Sequence, residues 1–263
     1  MTDGDSPGFF PGARSGGRVA IVIPAYNEAA TIGEILRRCR LIPGLIPGSP
    51  GIFVIDDGSS DETAAIAAQH GATVLRHDTN LGKGAALTRG MRASLNAGAD
   101  RVVTLDGDGQ HRPEDVPRLL AASIVWPDRI VIGSRRNAGH DAPRARVVAN
   151  RIADFWISWA ARHPIDDSQS GFRVYPAEVL HRLSEPRLAH GFAFESQVLI
   201  EAGRIGCRTV SIAIPAIYGD ALRRPSHFRP VFDITRIVLM VAGKLLRRGM
   251  DPVGLWQSVR EVP

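Results

Sequence analysis

Two aspartates two residues apart stand in the run Asp106-Gly107-Asp108-Gly109-Gln110-His111, with glycine between and after them. Such a turn can direct both carboxylates at one hard cation. Oxygen ligands suit Mg²⁺ or Mn²⁺, and Mg²⁺ keeps waters and shares its shell with substrate phosphates. The competing reading is an Asp-Gly turn without a cation. His111 could be a further ligand, but it reads first as an exposed loop histidine. Asp56-Asp57-Gly58-Ser59 is a second acidic turn. A carboxylate there accepts from a base N–H or a ribose hydroxyl, as acids at strand ends do in other nucleotide folds, or it serves a capping turn. For Asp57 both readings stay open, while Ser60 and Asp61 read as helix caps. Asn80-Leu81-Gly82-Lys83-Gly84 sets a lysine between glycines. Glycine lets the backbone approach an anion, and helix N-terminal N–H groups favour one. It is not a Walker loop, which needs Gly-x-x-x-x-Gly-Lys-Ser/Thr.

These groups need a scaffold that brings them together. Arg18 to Ile23 is a β-branched run stopped by Pro24, which suits a buried strand. Helical spacing follows at Ile32, Ile35, Leu36 and Cys39. Further strands are predicted at 51–55, 72–75, 101–105 and 129–132, with helices at 62–70, 82–97 and from Pro113 onward. Strand and helix alternate with short connections, the signature of a βαβ series and an α/β fold with a mostly parallel central sheet flanked by helices. In such sheets ligands bind beyond the carboxyl ends of the strands, which here carry the polar runs described above and Gly133-Ser134-Arg135. Past residue 140 the alternation weakens. A tryptophan-containing helix at 147–163, a loop from Asp166 to Arg173, a helix at 195–203, a strand at 208–214, a polar loop at 219–229 and an amphipathic helix at 232–248 are predicted. The chain divides into a tail (1–17), a catalytic domain (18–230) and a C-terminal amphipathic helix with its own tail (231–263).

The 263 residues, 44% hydrophobic and 22% charged, are ample for one sizeable core, which excludes a disordered chain or a stapled mini-protein. Near the C-terminus the longest apolar run is the seven residues Ile237 to Gly243, against the ~20 a membrane span needs. Residues 1–17 do not have the pattern of a secretory signal. Cys39 and Cys207 stand far apart, so neither a disulfide framework nor a zinc site organises the chain, and two buried thiols suit a reducing cytoplasm. The net charge of +5 suits anionic partners without choosing among them. Only two of the 32 basic residues, Lys83 and Lys244, are lysines. The helices at 147–163 and 232–248 read first as core and second as interfacial helices, apolar toward lipid with arginines toward headgroups.

Taken in order, Ile23-Pro24-Ala25-Tyr26-Asn27-Glu28, Ile55-Asp56-Asp57-Gly58-Ser59, Asn80-Leu81-Gly82-Lys83-Gly84, Asp106-Gly107-Asp108-Gly109-Gln110-His111, Gly133-Ser134-Arg135 and Asp167-Ser168-Gln169-Ser170-Gly171-Phe172-Arg173 resemble the family 2 glycosyltransferases, in particular their polyprenyl-phosphate mannosyl- and glucosyltransferase branch. The resemblance spans roughly Val19 to Ile214. It implies a nucleotide-sugar-binding fold of the glycosyltransferase A type and inversion at the anomeric carbon. It also implies that Pro24, Tyr26 and Glu28 line the nucleotide pocket, that Asp57 binds base or ribose, and that Lys83 faces the nucleotide. Asp106, Asp108 and Gln110 would hold Mg²⁺ or Mn²⁺ on the diphosphate, and Arg135, Ser170 and Arg173 would surround donor sugar and acceptor. Many lipid-phosphate enzymes of the branch carry a basic Gly-x-Ser-Lys loop. Here Leu222-Arg223-Arg224-Pro225-Ser226-His227-Phe228-Arg229 keeps the serine and replaces lysine with His227, so Arg224, Ser226, His227 and Arg229 are expected as an acceptor or diphosphate clamp.

The expected chemistry is attack on the anomeric carbon with loss of a nucleoside diphosphate, whose growing charge a cation and basic groups stabilise. A polyprenyl-phosphate nucleophile is already anionic and needs no strong base. A hydroxyl acceptor on a glycan, lipid or small molecule needs a carboxylate, for which Asp167 is the candidate with Asp166 behind it. The alternative class, a basic module for RNA or DNA, fits poorly with acidic residues at the strand ends. The expected setting is cytoplasmic, with peripheral contact at the inner face of the cytoplasmic membrane.

Overall fold

The computed structural model describes residues 17–42, 50–135, 144–183, 193–215, 230–247 and 249–260. Seven strands form one sheet: β1 (Val19–Ala25), β2 (Gly51–Asp56), β3 (Thr73–Arg76), β4 (Arg101–Thr104), β5 (Ile130–Ser134), β6 (Arg173–Pro176) and β7 (Thr209–Ala213). Their order is β3-β2-β1-β4-β6-β5-β7, and every pairing is parallel except those of β6, which runs against both neighbours. Alternate residues of the strands feed two cores. Ala20, Val22, Phe53, Ile55, Ile130 and Ile132 face α3 (Lys83–Asn96), α5 (Arg144–Ala161), α7 (Ala193–Arg204) and α8 (Pro230–Leu246). Ile21, Ile23, Val54, Val103 and Val131 face α1 (Ile32–Arg40), α2 (Thr63–Gln69) and α4 (Val116–Val125). Continuous apolar runs in the central strands are what a sheet covered on both faces requires.

Four elements depart from the expected layout. β1 does not stop at Pro24 but runs through it to Ala25, pairing with β2. The missing N–H costs no ladder bond, because Val22 O accepts from Leu105 N as β4 ends, while Ala25 O accepts from Asp57 N on the other side. Pro24 therefore turns its nitrogen to an edge that has no strand left to bond. β6 and the short α6 (Ala177–Arg182) were not anticipated. Nor was α9 (Pro252–Val259), which is capped by the Asp251 carboxylate at 3.1 Å from Gly254 N and packs on α5 through Arg162, bidentate to Asp251. Cys39 and Cys207 are free and buried as expected, with burial pushing both thiols up to about 12.

Candidate active site

β1, β2, β4 and β5 all end at one rim. Because β6 is antiparallel, its first residue meets the rim too: Arg173 lies opposite Thr104 and Ile132. The loop 166–172 therefore arrives beside Asp106 and Arg135, and hydrogen bonds hold it there. Thr104 Oγ1 donates to Gly171 O (2.7 Å), Ser170 Oγ to Gly133 O (2.6 Å), and Arg135 N to Asp167 Oδ2 (2.8 Å).

At the centre of the rim Lys83, first residue of α3, places its ammonium 2.7 Å from Asp106 Oδ1 and 3.1 Å from Glu195 Oε2. Burial disfavours the charged amine, but the two carboxylates more than offset it, and the ammonium is held above its ordinary range. Asp106, which burial would raise, is brought down to about 2 chiefly by Lys83. Asp108 goes the other way, pushed up by burial and then by the Asp106 charge. Its Oδ1 accepts from Gln110 N at 3.0 Å, so Gln110 enters the site through its backbone.

The Lys83 loop is fixed by Asp57. Asp57 Oδ1 accepts from Leu81 N (3.0 Å) and lies 2.7 Å from His77 Nδ1, and Oδ2 accepts from Gly82 N (2.7 Å). The carboxylate is 4% exposed, so it clamps this loop and is not turned outward. Gly58, at φ +77, permits the approach, since a Cβ there would sit 2.6 Å from Thr79 C. On the β1 side Thr31 Oγ1 donates to Gly107 O (2.6 Å) and approaches Glu28 Oε2 (3.3 Å), so Glu28 stands against the Asp-Gly-Asp turn. Pro24 and Tyr26 are half-buried on the same rim. Neither expected cap serves α2, whose N-cap is Glu62: Asp61 accepts from Thr63 N and Ala29 N, and Ser60 donates to Asn27 Oδ1.

Several of the expected site residues are turned inward. Arg173 is wholly buried, and its donors end on Ser168 O, Ser170 O, Glu195 O and Tyr175 Oη. Ser170 is likewise buried. Both use their side-chain hydrogen bonds to hold the loop in place. His111 is buried, not exposed, beside Phe172 at 5.3 Å between ring centroids; neither ring nitrogen is hydrogen-bonded, Nδ1 lies 3.8 Å from Asp106 Oδ2, and burial pushes its pKa down to about 4. Asp167 is 6% exposed, with Oδ2 accepting from Arg135 N at 2.8 Å and lying 3.8 Å from Arg135 Nε. Arg223, Arg224, Ser226, His227 and Arg229 lie outside the described residues. Glu195 escaped the sequence reading; its only signal was an acid inside a helix that buries Phe194 to Ile200 without interruption.

The donor set fits a divalent cation. Asp106 and Asp108 are hard oxygen ligands whose mutual repulsion already raises Asp108, and a dication would relieve it. Among the described residues no three His, Cys, Asp or Glu side chains form a closed metal site, so this chain would supply part of a shell and leave the rest to phosphate and water.

A mostly parallel sheet with Asp-x-Asp at the end of β4 and a lysine beside it defines a nucleotide-sugar transferase fold of the glycosyltransferase A type. The chain belongs to glycosyl transferase family 2, whose model matches residues 20–183. It is similar to an undecaprenyl-phosphate mannosyltransferase of Micrococcus luteus, 33% identical over 211 residues, 75% of this chain and 82% of that one. It is also similar to a UDP-N-acetylglucosamine–dolichyl-phosphate N-acetylglucosaminyltransferase of Methanococcus voltae, 27% identical over 87% of this chain and 98% of that one. Among solved structures, glucosyl-3-phosphoglycerate synthase from Mycobacterium tuberculosis with Mn²⁺, UDP and phosphoglyceric acid matches with a TM-score of 0.64 at 26% identity, over 90% of this chain and 80% of that one.

Proposed function

We propose that this glycosyltransferase moves a hexose from a UDP- or GDP-activated donor to a polyprenyl phosphate, with inversion and with Mg²⁺ or Mn²⁺ on the diphosphate. The observation that carries the reading is the fixed ammonium of Lys83 beside Asp106 and Asp108 at the strand ends, where a departing nucleoside diphosphate needs positive charge. The cation, when bound, supplies Lewis-acid stabilisation of that leaving group. This chain's own residues do the rest. Asp57 holds the loop that delivers Lys83, and Asp167 holds the Arg135 backbone so that its guanidinium, 18% exposed, stays at the sugar side. Asp167 is an inward-held carboxylate, which favours an acceptor that arrives anionic over a hydroxyl that must be deprotonated. The relatives that act on undecaprenyl and dolichyl phosphate support the same acceptor class.

Calorimetric titration with UDP and GDP, each with and without Mn²⁺, tests the donor half. Cation-dependent binding of one of them, lost in Asp108→Ala together with more than about 100-fold in turnover, is expected from the several kcal/mol such a cation contributes. Transfer to undecaprenyl phosphate but not to 3-phosphoglycerate is expected for the acceptor half; the reverse preference would overturn it.

A further inference from the structure

Glu195 has no part in the donor-site reading, yet it is built into the rim. Its side chain is 9% exposed and its backbone carbonyl is pinned by Arg173 Nη1 at 2.8 Å. Oε2 lies 3.1 Å from Lys83 Nζ, while Oε1 is buried with no hydrogen-bond partner. Gly171 is what lets the two acids converge: a Cβ at that position would lie 2.7 and 2.8 Å from the Asp106 oxygens and 2.9 Å from Glu195 Oε1. Lys83 thus has two carboxylates where one would neutralise it. The nearer, Asp106, is also the one that Asp-x-Asp offers to a divalent cation, so ammonium and dication compete for the same oxygens. With Asp106 alone, cation binding would leave a buried ammonium without an anion, which is costly.

We propose that Glu195 is a positioning residue that retains the Lys83 ammonium when Asp106 turns to a divalent cation. The ammonium shifts its main contact from Asp106 to Glu195, whose unpartnered Oε1 accepts a further N–H, and Lys83 stays aimed at the diphosphate. The inference rests on the donor-site reading above and deepens it.

The test is Mn²⁺ affinity, read from the paramagnetic resonance of free Mn²⁺ with the full chain, in the presence of UDP and separately of GDP. Glu195→Gln keeps the shape and removes the charge; it is expected to weaken Mn²⁺ about tenfold, with turnover recovering at high Mn²⁺. On a Lys83→Met background the same substitution is expected to leave Mn²⁺ affinity unchanged, because no ammonium remains to be held. Glu195→Asp, which keeps the charge but draws it back, is expected in between and carries the comparison if the glutamine variant does not fold. Equal Mn²⁺ affinity in wild type and the Glu195 variants would overturn the proposal. So would an undiminished loss on the Lys83→Met background, since Glu195 would then act on the cation directly. Wild-type protein that takes up no Mn²⁺ with either nucleotide would instead bring down the donor-site reading, and this inference with it.

Discussion

Arg173 shows how far a residue's type can mislead about its direction. In the sequence it closes a Ser-Gly-Phe-Arg run that looks like a substrate clamp. In the fold its guanidinium lies at 0% exposure and ties Ser168 O, Ser170 O and Glu195 O into one piece with Tyr175 Oη. Replacing it with leucine would leave those carbonyls buried and unpaired. Arg173→Leu is therefore expected to lower stability by about 3–5 kcal/mol, the range for breaking a buried charged network. Denaturant midpoints check this. A clamp for substrate would instead show an unchanged midpoint with a raised Michaelis constant. Asp57 teaches the same lesson in milder form: a strand-end aspartate was legible as important, but that it faces the amides of Leu81 and Gly82 depends on a loop 24 and 25 residues away.

At the scale of elements, the regular βα alternation up to β5 was readable because apolar spacing and short turns specify it locally. The antiparallel β6 was not, since its four residues make sense only between β4 and β5. Missing β6 hid the path by which 166–172 reaches the rim, and the α7 turn that carries Glu195 had no local mark either. The junction of α5 with β7 has a measurable consequence. His163, 4% exposed, accepts at Nε2 from Thr209 N (3.2 Å), and its Nδ1 lies 3.1 Å from Ala161 O. Burial, outweighing the Ala161 carbonyl, pushes its pKa down to about 4. The unfolded chain takes up this proton below about pH 6.5 and the native chain only near 4, so the unfolded state binds more protons between them. The neutral ring's contribution is thus complete above pH 6.5 and is lost as pH falls toward 4, by at most about 3 kcal/mol. Denaturation midpoints measured from pH 7.5 to 4.5 should fall accordingly, and His163→Gln should flatten part of that slope. An unchanged slope in the variant would show that His163 is not the titrating group.

For the whole molecule, the polyprenyl-phosphate acceptor proposed above would have to be met at a membrane surface, and no described helix is long and apolar enough to cross a membrane. α8 and α9 both pack on α5, and the three leave apolar stripes uncovered: Val148, Ile152 and Phe155 on α5, Leu239 and Leu246 on α8, and Val253, Trp256 and Val259 on α9. Basic groups accompany them. Arg151 and Arg247 are exposed, and the Arg260 guanidinium sits 3.5 Å from the Trp256 ring centre. Apolar stripes edged with arginine are what a surface needs to sit at an anionic bilayer without crossing it. Co-sedimentation with vesicles containing phosphatidylglycerol should show binding that weakens as salt rises, with a blue shift of tryptophan emission. Withdrawing one large buried side chain costs about 1.5–3 kcal/mol, so Trp256→Asp or Phe155→Asp should each weaken partition by about tenfold or more. Nucleotide binding, at the strand ends, should be untouched in both variants. Transfer to a short-chain, water-soluble acceptor phosphate should also persist while transfer to vesicle-borne undecaprenyl phosphate falls. Equal partition of wild type and both variants would mean that these stripes meet something other than lipid.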